Sequence, residues 1–198
     1  MRKIRELLDW LIQTVRLAEK TGQKQWKANV LQAIGDVQSF RDEKDAALAS
    51  YDSALTLFKQ VGDNLGQANV LKAIGDVQSF RDEKDAALAS YDSALTLFKQ
   101  VGSNLGQANV LLALAQLNGD AEQFEAAIRL YERIGDGYSV ARGKAYYGRW
   151  LLNQGEKTQA VLLFQEARAY WQQIGFFPGV EFVDELLQQA NNDIPLSD

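Results

Sequence analysis

AIGDVQSFRDEKDAALASYDSALTLFKQVG, residues 33–62, is repeated letter for letter at residues 73–102. The wider windows 28–71 and 68–111 differ at only two positions, Gln32 against Lys72 and Asp63 against Ser103. Self-similarity at a period of 40 residues indicates stacked copies of one supersecondary unit. We therefore expect a repeat array rather than a single closed globule.

Within one unit, the apolar residues follow two helical patterns separated by a turn. The second half has the spacing i, i+4, i+7, i+11, i+14, which is that of an amphipathic helix: Ala47, Tyr51, Ala54, Phe58 and Val61. The first half has the shorter stripe Ala28, Leu31, Ile34 and Val37. Asp42 is interpreted as the N-cap of the second helix, and Gly62 as the left-handed residue that ends it. Each unit is thus predicted to be a helical hairpin.

Glycines extend this frame to the rest of the chain. They recur at Gly22, Gly62, Gly102, Gly135 and Gly175, so the third interval is seven residues shorter than the others. The frame predicts an all-α chain of ten helices at residues 3–20, 25–39, 43–60, 65–79, 83–100, 105–117, 120–134, 138–153, 156–173 and 179–191. The predicted segments are an N-terminal capping helix (1–24), repeat 1 (25–62), repeat 2 (63–102), a shortened repeat 3 (103–135), repeat 4 (136–175), and a C-terminal capping helix with a tail (176–198).

These positions resemble the tetratricopeptide repeat (TPR) family. In that family the first helix carries a large apolar residue, and then a second large apolar residue that is followed directly by a small one. The second helix carries alanine, an aromatic residue and alanine. In this chain the first-helix positions are Leu31 and Ile34-Gly35, and the second-helix positions are Ala47, Tyr51 and Ala54. The set recurs as Leu71, Ile74-Gly75, Ala87, Tyr91 and Ala94, and in part as Tyr147-Gly148, Ala160, Phe164 and Ala167. The 40-residue period is similar to the kinesin light chain type and to bacterial TPR arrays. The usual aromatic near the end of the first helix is Gln38 or Gln78, and the usual closing proline is Lys59 or Lys99.

The resemblance implies a right-handed α-solenoid whose first helices line a concave groove for a peptide or helical segment of another protein. The groove-facing candidates are Asn29, Gln32, Asp36, Asn69, Lys72, Asp76, Asn109, Gln116, Arg142 and Arg149. One interpretation of the asparagines is a ladder whose side-chain amides hydrogen-bond to the backbone of a bound peptide. The other is that they match only because whole repeats were copied. Arg142 and Arg149 are seven residues apart and therefore lie on one helix face. They are interpreted either as a clamp for a carboxylate or as ordinary arginines on a solvated face. Phe40 and Phe80, at the hairpin turns, are expected to pack between hairpins rather than to anchor a partner.

Composition excludes several chemistries. The chain has no Cys and no His, so we expect no disulfide, thiolate nucleophile, imidazole base or ordinary zinc site. Its net charge of −5 disfavours nucleic acid as a partner. Charged residues occur throughout the N-terminal segment, so the sequence does not predict a signal peptide there. The chain also lacks a run of about 20 apolar residues, which a membrane-spanning helix would need. We therefore expect a cytoplasmic protein without cofactor, metal or catalytic residues.

Two functional readings remain open at this point. The first is a non-enzymatic interaction scaffold. The second is an engineered or recently duplicated array with an architectural role and no ligand, because 42 of 44 aligned residues match. Residues 1–27 carry seven basic and three acidic groups, whereas residues 176–198 carry five acidic and no basic ones. Opposite charges at the two ends make head-to-tail self-association a further possibility.

Overall fold

The computed structural model describes residues 2–192, with side chains from Glu6 onward. The helices are α1 (Arg2–Lys20), α2 (Lys24–Phe40), α3 (Lys44–Val61), α4 (Asn64–Phe80), α5 (Lys84–Gln100), α6 (Asn104–Asn118), α7 (Ala121–Arg133), α8 (Gly137–Asn153), α9 (Lys157–Gln173) and α10 (Phe177–Asn192). Every predicted helix is present, with ends within two residues of those expected. No strand occurs among the described residues. The predicted all-α fold of TPR-like helical hairpins is confirmed, and the tail beyond Asn192 lies outside the described residues.

The helices form two compact units, residues 1–106 and 107–198. In the first unit, α2 pairs with α3 and α4 pairs with α5, while α1 packs on α2 and α3 packs on α4. In the second unit, α8 pairs with α9, α7 packs on α8, and α10 packs on α9. α6 crosses the boundary between the units. No helix among the described residues is long and apolar enough to span a bilayer.

The predicted apolar stripes form the core of the first unit, except that Val61, at the end of the α3 stripe, is 38% exposed. Ala47, Tyr51, Ala54 and Phe58 of α3 are buried, together with Val70, Ile74 and Val77 of α4. Burial of these side chains is the main favourable contribution to packing of the hairpins. In the second unit the same helix positions are filled by Phe124, Phe164 and Trp171, which belong to one continuous cluster.

Small residues allow the two helices of a hairpin to approach closely. A Cβ atom at Gly35 would lie 2.5 Å from Cε1 of Tyr51, and one at Gly75 would lie 2.6 Å from Cε1 of Tyr91. These distances are shorter than a carbon–carbon contact permits, so the tyrosine ring occupies the space of the missing side chain. The predicted pairing of a small residue with Tyr51 is therefore confirmed.

The hairpin turn differs from the prediction in two respects. Asp42 does not cap α3; its φ is +63°, and Glu43 is the N-cap residue, without a side-chain cap bond. Asp42 instead takes the left-handed position after α2, where the Glu43 amide donates to the Gln38 carbonyl at 2.9 Å. Phe40 does not pack between hairpins, because it is 82% exposed.

Asp82, the copy of Asp42, gives a prediction for this turn. Its φ is +60°, a conformation in which an L side chain crowds the backbone, whereas the corresponding residue of repeat 4 is Gly155, with φ +84°. Asp82→Gly is expected to raise the free energy of unfolding by about 0.5–1 kcal/mol. Urea denaturation measures the change. The control is Asp52→Gly, in the exposed middle of α3, which should lower the free energy of unfolding by about 1 kcal/mol; destabilisation by both changes would refute the strain at Asp82.

Candidate functional site

Polar side chains line one side of α2 and α4. Both helices place a residue at i, i+3 and i+7, which lie on one helix face: Asn29, Gln32 and Asp36 on α2, and Asn69, Lys72 and Asp76 on α4. α2 and α4 contact each other, so the two rows lie on neighbouring helices of one unit. All six are at least partly exposed. We call these six residues the unit-1 polar face.

Two buried tyrosines hold the aspartates of this face. The Tyr51 hydroxyl donates to Oδ1 of Asp36 at 2.8 Å, and the Tyr91 hydroxyl donates to Oδ1 of Asp76 at 2.9 Å. Burial raises the pKa of both tyrosines, and the neighbouring aspartate raises it further. The hydroxyls therefore stay protonated, and each tyrosine fixes the position of one carboxylate through its Oδ1 atom.

Charge on the unit-1 polar face is concentrated in a group of three residues. Lys72 Nζ lies 2.6 Å from Oδ2 of Asp76 on the same helix. Partial burial raises the pKa of Asp36, the Tyr51 hydrogen bond and Lys72 oppose this rise, and Asp76 adds to it. Two carboxylates and one ammonium thus interact within a single patch.

The raised pKa of Asp36 predicts a pH-dependent effect of removing its charge. The folded state favours the protonated carboxyl, so ionisation of Asp36 costs stability at pH 7 but not at a pH below the carboxyl's ordinary range. Asp36→Asn keeps an oxygen acceptor for Tyr51, and we expect it to raise Tm at pH 7 and to have little effect at about pH 3. Thermal melts followed by circular dichroism test this, with Asp52→Asn on exposed α3 as the control. A lower Tm for Asp36→Asn at pH 7 would contradict the argument.

In the second unit, the corresponding positions form a different network. Oδ1 of Asn109 on α6 accepts from the Tyr131 hydroxyl at 2.7 Å and from Arg142 at 3.1 Å. Arg142 also reaches the Tyr131 oxygen at 3.2 Å, and its guanidinium lies 5.9 Å from the centre of that ring. Burial raises the pKa of Tyr131, against the effect of Arg142. Asn109 and Arg142, both predicted site residues, are therefore brought together through a tyrosine.

Arg149 and Gln116 are placed apart from this network. The Arg149 guanidinium lies 5.6 Å from the centre of the Tyr146 ring, and the Gln116 amide donates to the Leu112 carbonyl of its own helix. Arg142 and Arg149 share a face of α8 but have separate partners. A carboxylate held by both would have to compete with Asn109 for Arg142.

The tyrosine hydroxyls are the part of the site that the spacing argument missed. A signal for them exists in the alignment of the repeats: Tyr51 and Tyr91 occur where the first helix carries Asp36 and Asp76. Where the first helix carries Gln116 or Arg149 instead, the tyrosine position holds Phe124 or Phe164. The hydroxyl is thus present only in the repeats that offer it a carboxylate.

A separate groove lies between α7, α8 and α9. Its volume is about 510 Å³, and Gly137, Val140 and Ala141 of α8 line it. Lys144 Nζ and Oε2 of Glu166, which also line the groove, are 2.6 Å apart. Positions 137, 140, 141 and 144 lie on the side of α8 away from Arg142 and Arg149. The groove and the predicted site residues therefore use different faces of the same helix.

Comparisons with solved structures confirm the fold. BtubC (BKLC) from P. vanneervenii is 14% identical, with a TM-score of 0.69 over 98% of this chain and 95% of that chain. RapI in its apo form is 11% identical, with a TM-score of 0.69 over 87% of this chain and 64% of that chain. MamA is 19% identical, with a TM-score of 0.59 over 88% of this chain and 94% of that chain. At such identities, the likeness concerns the fold alone.

Sequence comparison adds a family. A search of the curated proteins finds no match to this chain. The family model of the soluble NSF attachment protein, SNAP, matches residues 9–142, which is more than half of the chain. SNAP is a helical-repeat family, in agreement with the hairpins described above. The chain therefore belongs to the soluble NSF attachment protein family, and it has the fold of TPR-type repeat proteins.

Proposed function

We propose that the protein is a non-enzymatic scaffold that binds an extended peptide or a helical segment of a partner protein along the unit-1 polar face. Asn109, Gln116, Arg142 and Arg149 are the corresponding contact residues of the second unit. The observation that carries the proposal is the pair of tyrosine–aspartate hydrogen bonds, at 2.8 and 2.9 Å, which fix Asp36 and Asp76 on the same helix faces as the exposed Asn29 and Asn69. Helical repeats with this fold are typically interaction scaffolds, and the family name itself describes attachment to another protein.

Preorganisation is the physical reason for this choice of face. Side chains that are already fixed lose less conformational entropy when a ligand binds, so more of the contact energy appears as affinity. Asp36 and Asp76 are fixed in this way, and the Asn69 amide offers one acceptor and two donors to a peptide backbone. The spacing is equal on α2 and α4, and the asparagine and the aspartate occur on both helices, while Gln32 is replaced by Lys72. The repeated asparagine suits a ligand with repeated backbone groups.

Binding is tested with the full chain and a random peptide display library. Selected peptides are synthesised and titrated calorimetrically against the wild type and against Asn69→Ala combined with Lys72→Ala. The double variant is expected to bind at least about tenfold more weakly, which corresponds to about 1.4 kcal/mol. The matched control is Ser53→Ala combined with Ser93→Ala, which changes exposed positions on α3 and α5.

The outcomes separate the two functional readings. If the selected peptides bound the Asn69 and Lys72 double variant as tightly as the wild type, the unit-1 polar face would not be their binding site. A library that yields no ligand at all would favour the duplicated array with an architectural role, which the 42 matches in 44 positions suggest. The cytoplasmic location stays a prediction from the sequence.

A further inference from the structure

The groove between α7, α8 and α9 has the size and lining of a small-molecule site. We call it the α7–α9 groove. Its volume of about 510 Å³ falls within the range of about 300–1,000 Å³ that is typical of such sites. Val140 and Ala141 of α8 line it together with Ala169 and Tyr170 of α9. Most of these side chains are apolar, so an occupant gains from having an apolar body.

An aromatic ring forms part of the groove wall and packs on bare backbone. A Cβ atom at Gly137 would collide with the ring and hydroxyl of Tyr170. The missing side chain at Gly137 therefore lets the ring lie directly against α8. The equivalent positions of repeat 2 are Asn64 and Leu97, so this pairing is particular to repeat 4. A tyrosine ring offers a flat surface for apolar contact and a negative face for a cation.

The formal charges that line the groove are two carboxylates and one ammonium. They belong to Glu132 of α7, Lys144 of α8 and Glu166 of α9. Lys144 Nζ lies 2.6 Å from Oε2 of Glu166, so these two charges offset each other. Glu132 forms no ion pair with any residue that the structure describes. One carboxylate of the groove is therefore left without a counter-charge.

The helix ends beside the groove do not reverse this balance. The C-terminal end of α7 has a partial negative charge, and the N-terminal end of α8 has a partial positive one. At the start of α8, the Asp136 carboxylate accepts from the Ser139 amide at 3.0 Å and offsets the positive end. Arg133, the last residue of α7, is exposed and does not line the groove. The remaining charge favours a cation.

This charge is not part of the shared repeat pattern. The equivalent positions of the first two repeats hold one basic residue and no acidic one: Lys59, Leu71 and Ser93. An acidic, tyrosine-walled groove is thus a property of the second unit. We propose that the α7–α9 groove binds a small organic cation, a free molecule with one ammonium group on an aromatic or aliphatic body. The body lies along Val140 and the Tyr170 ring, and the ammonium faces Glu132.

Calorimetric titration of the full chain with 2-(1-naphthyl)ethylamine tests the proposal, because an alkylamine is a cation at pH 7. Two probes with the same rings are the ligand controls, the neutral 2-(1-naphthyl)ethanol and the anionic 1-naphthylacetate. The amine is expected to bind at least about threefold more tightly than the alcohol and about tenfold more tightly than the carboxylate. Both ratios should fall with added salt, because the carboxylate of Glu132 is exposed and its attraction is screened.

Variants at the groove give effects of opposite sign. Glu132→Lys introduces the residue of repeat 1 and is expected to weaken amine binding at least about fivefold and to strengthen naphthylacetate binding. Lys144→Leu introduces the residue of repeat 2 and leaves Glu166 unpaired, so it should strengthen amine binding. Ala169→Phe fills the groove from an exposed position and should abolish binding of all three probes. Glu181→Lys, the same charge change on exposed α10, is the control and should alter affinity less than about twofold.

Circular dichroism checks that each variant keeps its helical content. Equal affinities for the amine and the alcohol, weaker amine binding by Lys144→Leu, unchanged binding by Ala169→Phe, or no saturable binding at all would overturn the proposal. An acetylated and amidated peptide with one central lysine between apolar residues is titrated in parallel. If it bound more tightly than the amine, the groove would belong to a partner protein rather than to a free organic cation, and the proposal would be wrong.

Discussion

Gly75→Leu is expected to lower the free energy of unfolding by about 3 kcal/mol. Even the first carbon of the new side chain would lie 2.6 Å from the Tyr91 ring, and Tyr91 is 2% exposed, so the ring has no free space to enter. Either α4 and α5 separate or the tyrosine moves and gives up its hydrogen bond to Asp76. Urea denaturation followed by circular dichroism gives the loss.

The control for Gly75→Leu is Asp92→Leu, on the exposed face of α5, which should change the free energy of unfolding by no more than about 0.5 kcal/mol. Gly75→Ala should fall between the two, because it adds only the first carbon. If Gly75→Leu unfolded at the same urea concentration as the wild type, the close approach of the two helices at Gly75 would be wrong.

Phe124→Ala is expected to cost about 3–5 kcal/mol in the second unit. Phe124 is fully buried in α7, and its ring stacks on Tyr147 with 5.1 Å between the centres. The Trp150 ring lies 6.0 Å from it. Removal of the ring leaves a cavity between α7 and α8 that the surrounding helices fill only in part.

Urea unfolding measures this loss, and Trp150 gives an independent readout, because water reaching the cavity should shift tryptophan emission to longer wavelength. Phe177→Ala removes the same ring from an exposed position of α10 and should change stability by no more than about 0.5 kcal/mol. Equal losses for the two variants would contradict the packing described for α7 and α8.

The hairpins were predictable from the sequence because two signals agree. The 40-residue repeat locates each unit, and the spacing of small and aromatic residues within it defines which helices meet. Gly35 and Tyr51 show this directly, since the glycine and the ring occupy one space in the structure. This packing depends on the sizes of the two residues, and residue size can be read directly from the sequence.

The hairpin turn was harder to predict because aspartate suits two positions there. It is a good N-cap and also one of the few non-glycine residues that accept a positive φ. Asp42 takes the second role, which the letter alone does not reveal. Phe80 illustrates a related difficulty: it is exposed, and the Lys44 ammonium lies 4.2 Å from the centre of its ring. Its hydrophobic side chain led us to expect burial, but at this turn the Phe80 ring contacts the charged Lys44 side chain instead.

The polar contacts were the least predictable part of the site. Tyr51 and Asp36 are on different helices, and their bond depends on how far the ring crosses the hairpin. In the second unit, Tyr131 lies where the earlier repeats have Phe58 and Phe98. Its hydroxyl joins Asn109 to Arg142, a contact that no other repeat provides a pattern for. The polar residues that recur at equivalent repeat positions indicated which helix face is polar. The hydrogen-bond partners of these residues could be identified only in the structure.

The binding of a peptide by the unit-1 polar face is tested most directly by nuclear magnetic resonance. Full-length protein labelled with ¹⁵N is titrated with a peptide selected by display, and backbone and side-chain amide shifts are followed. The account predicts the largest changes at Asn29, Asn69, Lys72 and Asp76, with smaller ones at Ser53 and Ser93. Changes confined to the α7–α9 groove around Gly137 and Val140, or to α3 and α5, would contradict it.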